Sequence, residues 1–191
     1  AALRPQFACR MIGAAGGSSS RHERIYITAT PTDIEQVGFH GPTGSLQFGA
    51  HREVIQGVGA TRTLLAKESG ALCLLDRAAG VVYTLPTPVE GMKFTFLATV
   101  TRTSNSYKVL TAAVASQFMV GAVISGDATI ATSGDIFTAD GTTIAAITCD
   151  GDTKGGFIGE CYTLTAISST KWAISGIVIG TGTMVTPFTT T

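Results

Sequence analysis

Charge is what this sequence has least of. Lys, Arg, Asp and Glu make up 14% of its 191 residues, where a soluble domain commonly carries about 25%. The signs cancel to a formal net charge of zero, so the electrostatic footprint of a general nucleic-acid binder is missing. Long apolar runs are missing too. None reaches the roughly 18 residues of a spanning helix, and no membrane partner is expected. The opening Ala1-Ala2-Leu3-Arg4-Pro5-Gln6 has no apolar signal-peptide core. It reads as a chain whose start Met was removed before a small residue.

The signatures of chemistry are equally sparse. Cys9, Cys73, Cys149 and Cys161 include no C-x-x-C pair, which excludes the common zinc modules. Cys73, Cys149 and Cys161 lie in apolar runs and read as small buried hydrophobes; their spacing leaves a Cys149–Cys161 disulfide open. His22, His40 and His51 have no metal-ligand spacing. Gly13 to Ser20 has a linker composition, and no Gly-Lys-Ser/Thr follows to make it a phosphate loop. No Gly-x-Ser-x-Gly elbow is present. Between Val109 and Thr153 stand Asp127, Asp135, Asp140, Asp150 and Asp152 with no Lys or Arg. Asp150-Gly151-Asp152 lacks the further acidic positions of a calcium loop and reads as a turn. The residues therefore point to no catalytic group, no metal and no cofactor, and to a protein that is not an enzyme.

What the chain does have is Thr and a period of two. In Met92 to Val100, Met92, Phe94, Phe96, Ala98 and Val100 fall on one face and Lys93, Thr95 and Thr99 on the other, the signature of a strand. Leu97 interrupts the polar face, so that face is expected to be partly covered. Ala71–Asp76 and Val81–Pro86 flank the connection Arg77-Ala78-Ala79-Gly80, which predicts a hairpin. Further strands are expected around Tyr107–Thr111, Gln117–Ile124, Ala128–Ala131, Thr142–Cys149, Glu160–Ile167 and Lys171–Ile179. Turn signals recur at the spacing of a sandwich or barrel. Helical periodicity amounts to at most one turn, at Ala112–Gln117. The predicted fold is all-β: an antiparallel β-sandwich, a jelly-roll-like knob, over residues 61–191. Its expected core is Leu72, Leu74, Phe94, Phe96, Val109, Ile147, Leu164 and Ile174. Tyr83, Tyr107, Tyr162 and Trp172 read as core or subunit interface before they read as a sugar-binding face.

Residues 1–60 show no alternation long enough to build a core. They are expected to form an extended arm whose anchors enter grooves on a neighbour. Phe7, Phe39 and Phe48 are such anchors. Arg4, Arg10, Arg21, Arg24 and Arg52 suit carboxylates there, because a guanidinium fork matches them bidentately. These eight residues are the candidate interface.

From Leu64 to the C-terminus the chain resembles a family of tailed-phage head decoration (cement) proteins. The resemblance is carried by Ser69-Gly70, Asp76, Ala78-Ala79-Gly80, Tyr83-Thr84-Leu85-Pro86, Pro88, Gly91 and Phe94-x-Phe96. It continues through Val100-Thr101, Ser104-Asn105, Lys108-Val109, Gly155-Gly156, Ile158-Gly159, Leu164, Ile167-Ser168 and Trp172. It implies a β-rich knob that oligomerises, often as a homotrimer, on the outer surface of a virion. The expected partners are the major capsid protein and other copies of the chain. The alternative is a receptor- or glycan-binding knob of a tail or head fibre.

Overall fold

The computed structural model of the protein describes residues 38–41, 44–47, 52–129 and 134–191. The chain divides into two units, residues 1–50 and 51–191. In the first, β1 (Gly38–Gly41) and β2 (Gly44–Gln47) pair antiparallel, with Phe39 opposite Leu46.

The second unit is built from two sheets. Its strands are β3 (Val54–Ile55), β4 (Thr61–Thr63), β5 (Leu72–Leu75), β6 (Val81–Thr84), β7 (Lys93–Ala98) and β8 (Tyr107–Leu110). They continue as β9 (Phe118–Asp127), β10 (Ile136–Asp140), β11 (Ala146–Cys149), β12 (Cys161–Ser168), β13 (Lys171–Gly180) and β14 (Phe188–Thr189). The seven-stranded sheet runs β10-β9-β13-β12-β7-β5-β3 and the five-stranded sheet β14-β11-β8-β6-β4. The only helix among the described residues is the 3-10 turn Ala66–Glu68. At Ala112–Gln117 the chain makes one turn, with the amides of Ser116 and Gln117 donating to the Ala113 carbonyl.

The fold is all-β, as expected, but its pairing is mixed where an antiparallel, jelly-roll-like order was predicted. From β3 to β8 the chain crosses from one sheet to the other at every connection. Consequently β3, β5 and β7 run parallel in one sheet, and β4, β6 and β8 run parallel in the other. The expected hairpin at Arg77–Gly80 is therefore an arch: β5 and β6 face each other through their side chains and share no ladder. Both arrangements need a tight turn ending in Gly, so the turn residues do not distinguish them. Gly80 has φ 83°, and a Cβ there would stand 2.7 Å from the Ser106 carbonyl oxygen. The sandwich also begins before Thr61, because Val54 and Ile55 pair with Leu72 and Cys73 and Ile55 is buried.

The space between the sheets is filled by large side chains. Phe94, Phe96, Tyr162, Leu164, Trp172 and Ile174 enter from the seven-stranded sheet, and Tyr83, Tyr107, Val109 and Ile147 from the other. Burying one such side chain contributes on the order of 1.5–3 kcal/mol. Six of the eight expected core residues are buried: Phe94, Phe96, Val109, Ile147, Leu164 and Ile174. Leu72 and Leu74 are the correction. On β5 it is Cys73 and Leu75 that point inward, and Leu72 and Leu74 lie half-buried on the outer face. A one-residue change of register reverses every side chain of a strand.

Candidate functional site

Strand alternation that sends Phe, Tyr and Trp inward sends a second set of residues outward. On the seven-stranded sheet that set is Ile and Thr. Register places Ile136 beside Ile124, Ile124 beside Ile177, Ile177 beside Cys161, Cys161 beside Leu97, and Leu97 beside Leu74. One apolar row thus crosses six of the seven strands. Its β10–β9–β13 end is open to solvent: Ile136 is 69% exposed, Ile124 54% and Ile177 50%. The next row is Thr138, Ala122, Ser175, Thr163, Thr95 and Leu72, with Val54 at the β3 edge. Neither row holds a charged side chain. The three exposed Ile form one contiguous apolar strip, which makes this end of the sheet the candidate site.

Charge flanks this face and, at Arg52, reaches onto it. Asp140 lies on β10 and Lys93 on β7, one row further along. Arg52 is exposed and reaches Thr95 Oγ1 at 3.4 Å, and that hydroxyl is 3.2 Å from Thr163 Oγ1. Asp140 Oδ1 accepts the Thr142 and Thr143 amides at 2.8 Å each, and Oδ2 accepts the Thr143 hydroxyl. These bonds, the Thr143 hydroxyl first, hold its carboxyl well below the usual carboxylate range.

Of the candidate interface residues, Arg52 alone has its side chain described, at the edge of this face. Phe39 has its backbone in β1 opposite Leu46. Arg4, Phe7, Arg10, Arg21, Arg24 and Phe48 lie outside the described residues. The strand aromatics Tyr83, Tyr107, Tyr162 and Trp172 are all buried and offer no sugar-stacking surface. Cys73, Cys149 and Cys161 are free thiols, so no Cys149–Cys161 disulfide forms. Asp150-Gly151-Asp152 is a turn in which Asp150 Oδ1 accepts the Asp152 and Lys154 amides. Among the described residues no three His, Cys, Asp or Glu side chains come together as metal ligands.

Among the described residues Glu68, Asp127 and Glu160 are buried, and sequence reasoning missed the deepest of them, Glu160. Glu160 is fully buried where the Gly155–Gly159 turn enters β12. Its Oε2 accepts the Gly156 amide at 2.6 Å and the Ile179 amide at 3.2 Å, and the Cys149 thiol of β11 faces it. Gly155 passes so near that a Cβ there would meet Oε2 at 2.5 Å. Burial pushes the carboxyl up to about 7, against the lowering effect of these hydrogen bonds. The group ties the 155–159 turn to β13. The available signal was a lone Glu between a Gly-rich turn and an apolar strand, where Lys or Thr would be ordinary.

The exposed Ile row missed detection for a different reason. Each Ile belongs to a separate strand, and only pairing brings them side by side. No family model, curated protein or solved structure matches this chain.

Proposed function

We propose that this chain is a structural virion protein that decorates and cements the outer surface of a phage capsid, bridging capsomers. Its partners are the major capsid protein and other copies of itself, as a homotrimer. The observation that carries the reading is the apolar β10–β9–β13 end of the seven-stranded sheet's outer face, with Ile136, Ile124 and Ile177 open to solvent. A surface of Ile and Thr rows adheres to protein, and its weak individual contacts gain strength by repetition over a lattice. The resemblance from Leu64 onward supports the same reading, and residues 1–60 with their five Arg supply the capsid-directed anchors.

A glycan-binding knob, the alternative, is less favoured because the four candidate aromatics are core. The test is capsid robustness. Shells prepared without the protein should release DNA at lower temperature than complete shells, and adding the purified chain back should restore them. Equal robustness with and without it would refute cementing.

A further inference from the structure

We propose that the Glu160 carboxyl is a pH-operated latch: protonated, it holds the 150–159 turn shut against the end of β13, and ionised, it lets the two part while both sheets stay folded. The latch works within one chain and does not depend on decoration.

The seam lies where a strand gives way to a turn. The β12–β13 ladder ends at Cys161 opposite Ile177, and beyond it the 150–159 turn takes the place of β12 beside β13. Four backbone amides bond across the seam. The Ile179 amide donates to Glu160 Oε2, and the Phe157 amide to the Ile179 carbonyl at 3.1 Å. The Thr181 amide donates to the Asp152 carbonyl at 3.1 Å and the Val185 amide to the Thr153 carbonyl at 2.9 Å. On its far side the turn is held separately, by the Arg102 amide on the Gly156 carbonyl and the Gly159 amide on the Ala98 carbonyl. Little apolar surface opposes opening. Gly155 and Gly156, the turn's buried residues, have no side chain, while Asp152, Ile158 and Gly159 are exposed. Segments with few buried apolar contacts open well below the global cost. Opening uncovers Val178, on which Gly155 lies, and Met184, which lies over Gly180.

Ionisation loads this seam because the charge has too few partners. Among the described residues Glu160 forms no ion pair, and its Oε1 is buried with no hydrogen bond from an N–H or O–H. The groups around it do not stand in. Cys149 at the end of β11 faces it as a thiol, and Asp150 near that thiol brings charge of the same sign. Tyr107 on β8 gives its hydroxyl to the Val100 carbonyl, and Tyr162 on β12 is buried as a phenol. Arg102 lays its guanidinium against Gly151, and the turn itself carries Asp152 and Lys154. From β13 come the apolar Val178 and the Ile179 amide. A carboxylate so placed gains by reaching water, and an open seam admits water to both oxygens.

The sign follows from the two forms. In the shut form the carboxyl titrates at about 7, above the ordinary carboxylate value that water restores in the open form. Closure is complete in acid, weakens as pH rises and levels off above about pH 7. Opening should become on the order of 50-fold more frequent from pH 5 to pH 8.

The experiment is amide hydrogen exchange of the full chain by NMR at pH 5 and pH 8, each over a low-urea series, with protection expressed relative to intrinsic exchange. The amides of Phe157, Ile179, Thr181 and Val185 should lose about 50-fold in protection at pH 8, through an opening that urea does not promote. The amides of Leu85 and Thr95, bonded to Leu110 and Ala71, should be better protected and exchange through urea-dependent unfolding. Glu160→Gln keeps an acceptor and cannot titrate, so its seam amides should be equally protected at both pH values. Seam protection that ignores pH in the wild type overturns the proposal. So does a seam whose exchange follows urea as steeply as Leu85 and Thr95, because the carboxyl then acts on the whole fold. A Glu160→Gln chain that keeps the pH dependence places the switch in another group and overturns it too. Should that variant fail to fold, the pH and urea series on the wild type decide alone.

Discussion

Tyr83 and Phe96 meet edge to face across the middle of the sandwich, their ring centroids 5.5 Å apart and their planes at 66°. Tyr83 belongs to the five-stranded sheet and Phe96 to the seven-stranded one, so this contact ties the two layers together. Phe96 stacks on its other side against Tyr162, centroids 5.6 Å apart. Tyr83 keeps its hydroxyl satisfied by donating to the Leu74 carbonyl at 3.0 Å.

Phe96→Ala should therefore cost about 3–5 kcal/mol, because it removes a buried ring and leaves a cavity between two other rings. Denaturant unfolding followed by the fluorescence of Trp172, the single Trp, reads this directly. An unchanged midpoint would show that the core is placed wrongly.

Glu160 predicts a pH dependence of stability. Its folded pKa, about 7, lies above the ordinary carboxylate value. The protonated form is thus favoured in the folded state, and the folded protein holds more protons than the unfolded chain between the two values. Stability from this group is complete below the ordinary carboxylate range, declines as pH rises and levels off above about pH 7, a change of about 3 kcal/mol. Glu160→Gln keeps an oxygen acceptor for Gly156 and cannot titrate. The difference in unfolding free energy between wild type and variant should shift towards the variant from pH 5 to pH 8. A difference constant over that range would mean that the carboxylate is not desolvated.

Gly176 has φ 155° and lies opposite Tyr162, where a Cβ would stand 2.4 Å from both the Cys161 carbonyl oxygen and the Tyr162 Cα. Both are backbone atoms of the paired strand and cannot swing aside. Gly176→Ala should destabilise by about 1–3 kcal/mol or more. Gly126→Ala, where nothing lies within 4 Å, should stay within about 0.5 kcal/mol of wild type. Thermal denaturation of the pair checks the contrast.

Cys73 and Cys149 should resist alkylation at pH 8 in the folded protein. Burial pushes the Cys73 thiol up to about 12 and raises Cys149 well above its ordinary value. Rapid modification of either without unfolding would contradict their place in the core.

The strands whose two faces differ were legible in the sequence. In β12, Tyr162, Leu164 and Ala166 point inward while Cys161, Thr163 and Thr165 point outward, and the alternation shows it. In β7 even the partly covered outer face was readable from Leu97. The run Ala71 to Leu75 was not legible, because it is apolar at every position and periodicity cannot choose a register. The parallel winding was hidden for a related reason. Whether β5 pairs with β6 or with β7 depends on contacts between sheets, and the turn at Gly80 serves either outcome. The exposed Ile row was hidden most deeply, since Ile124, Ile136 and Ile177 become one surface only through the β9–β10 and β9–β13 registers.

The central claim is decoration, and copy number in purified virions tests it most directly. Quantitative mass spectrometry of a virion that carries the chain should count hundreds of copies per particle, released from intact shells together with the outer layer. A handful of copies, or none, would contradict the account.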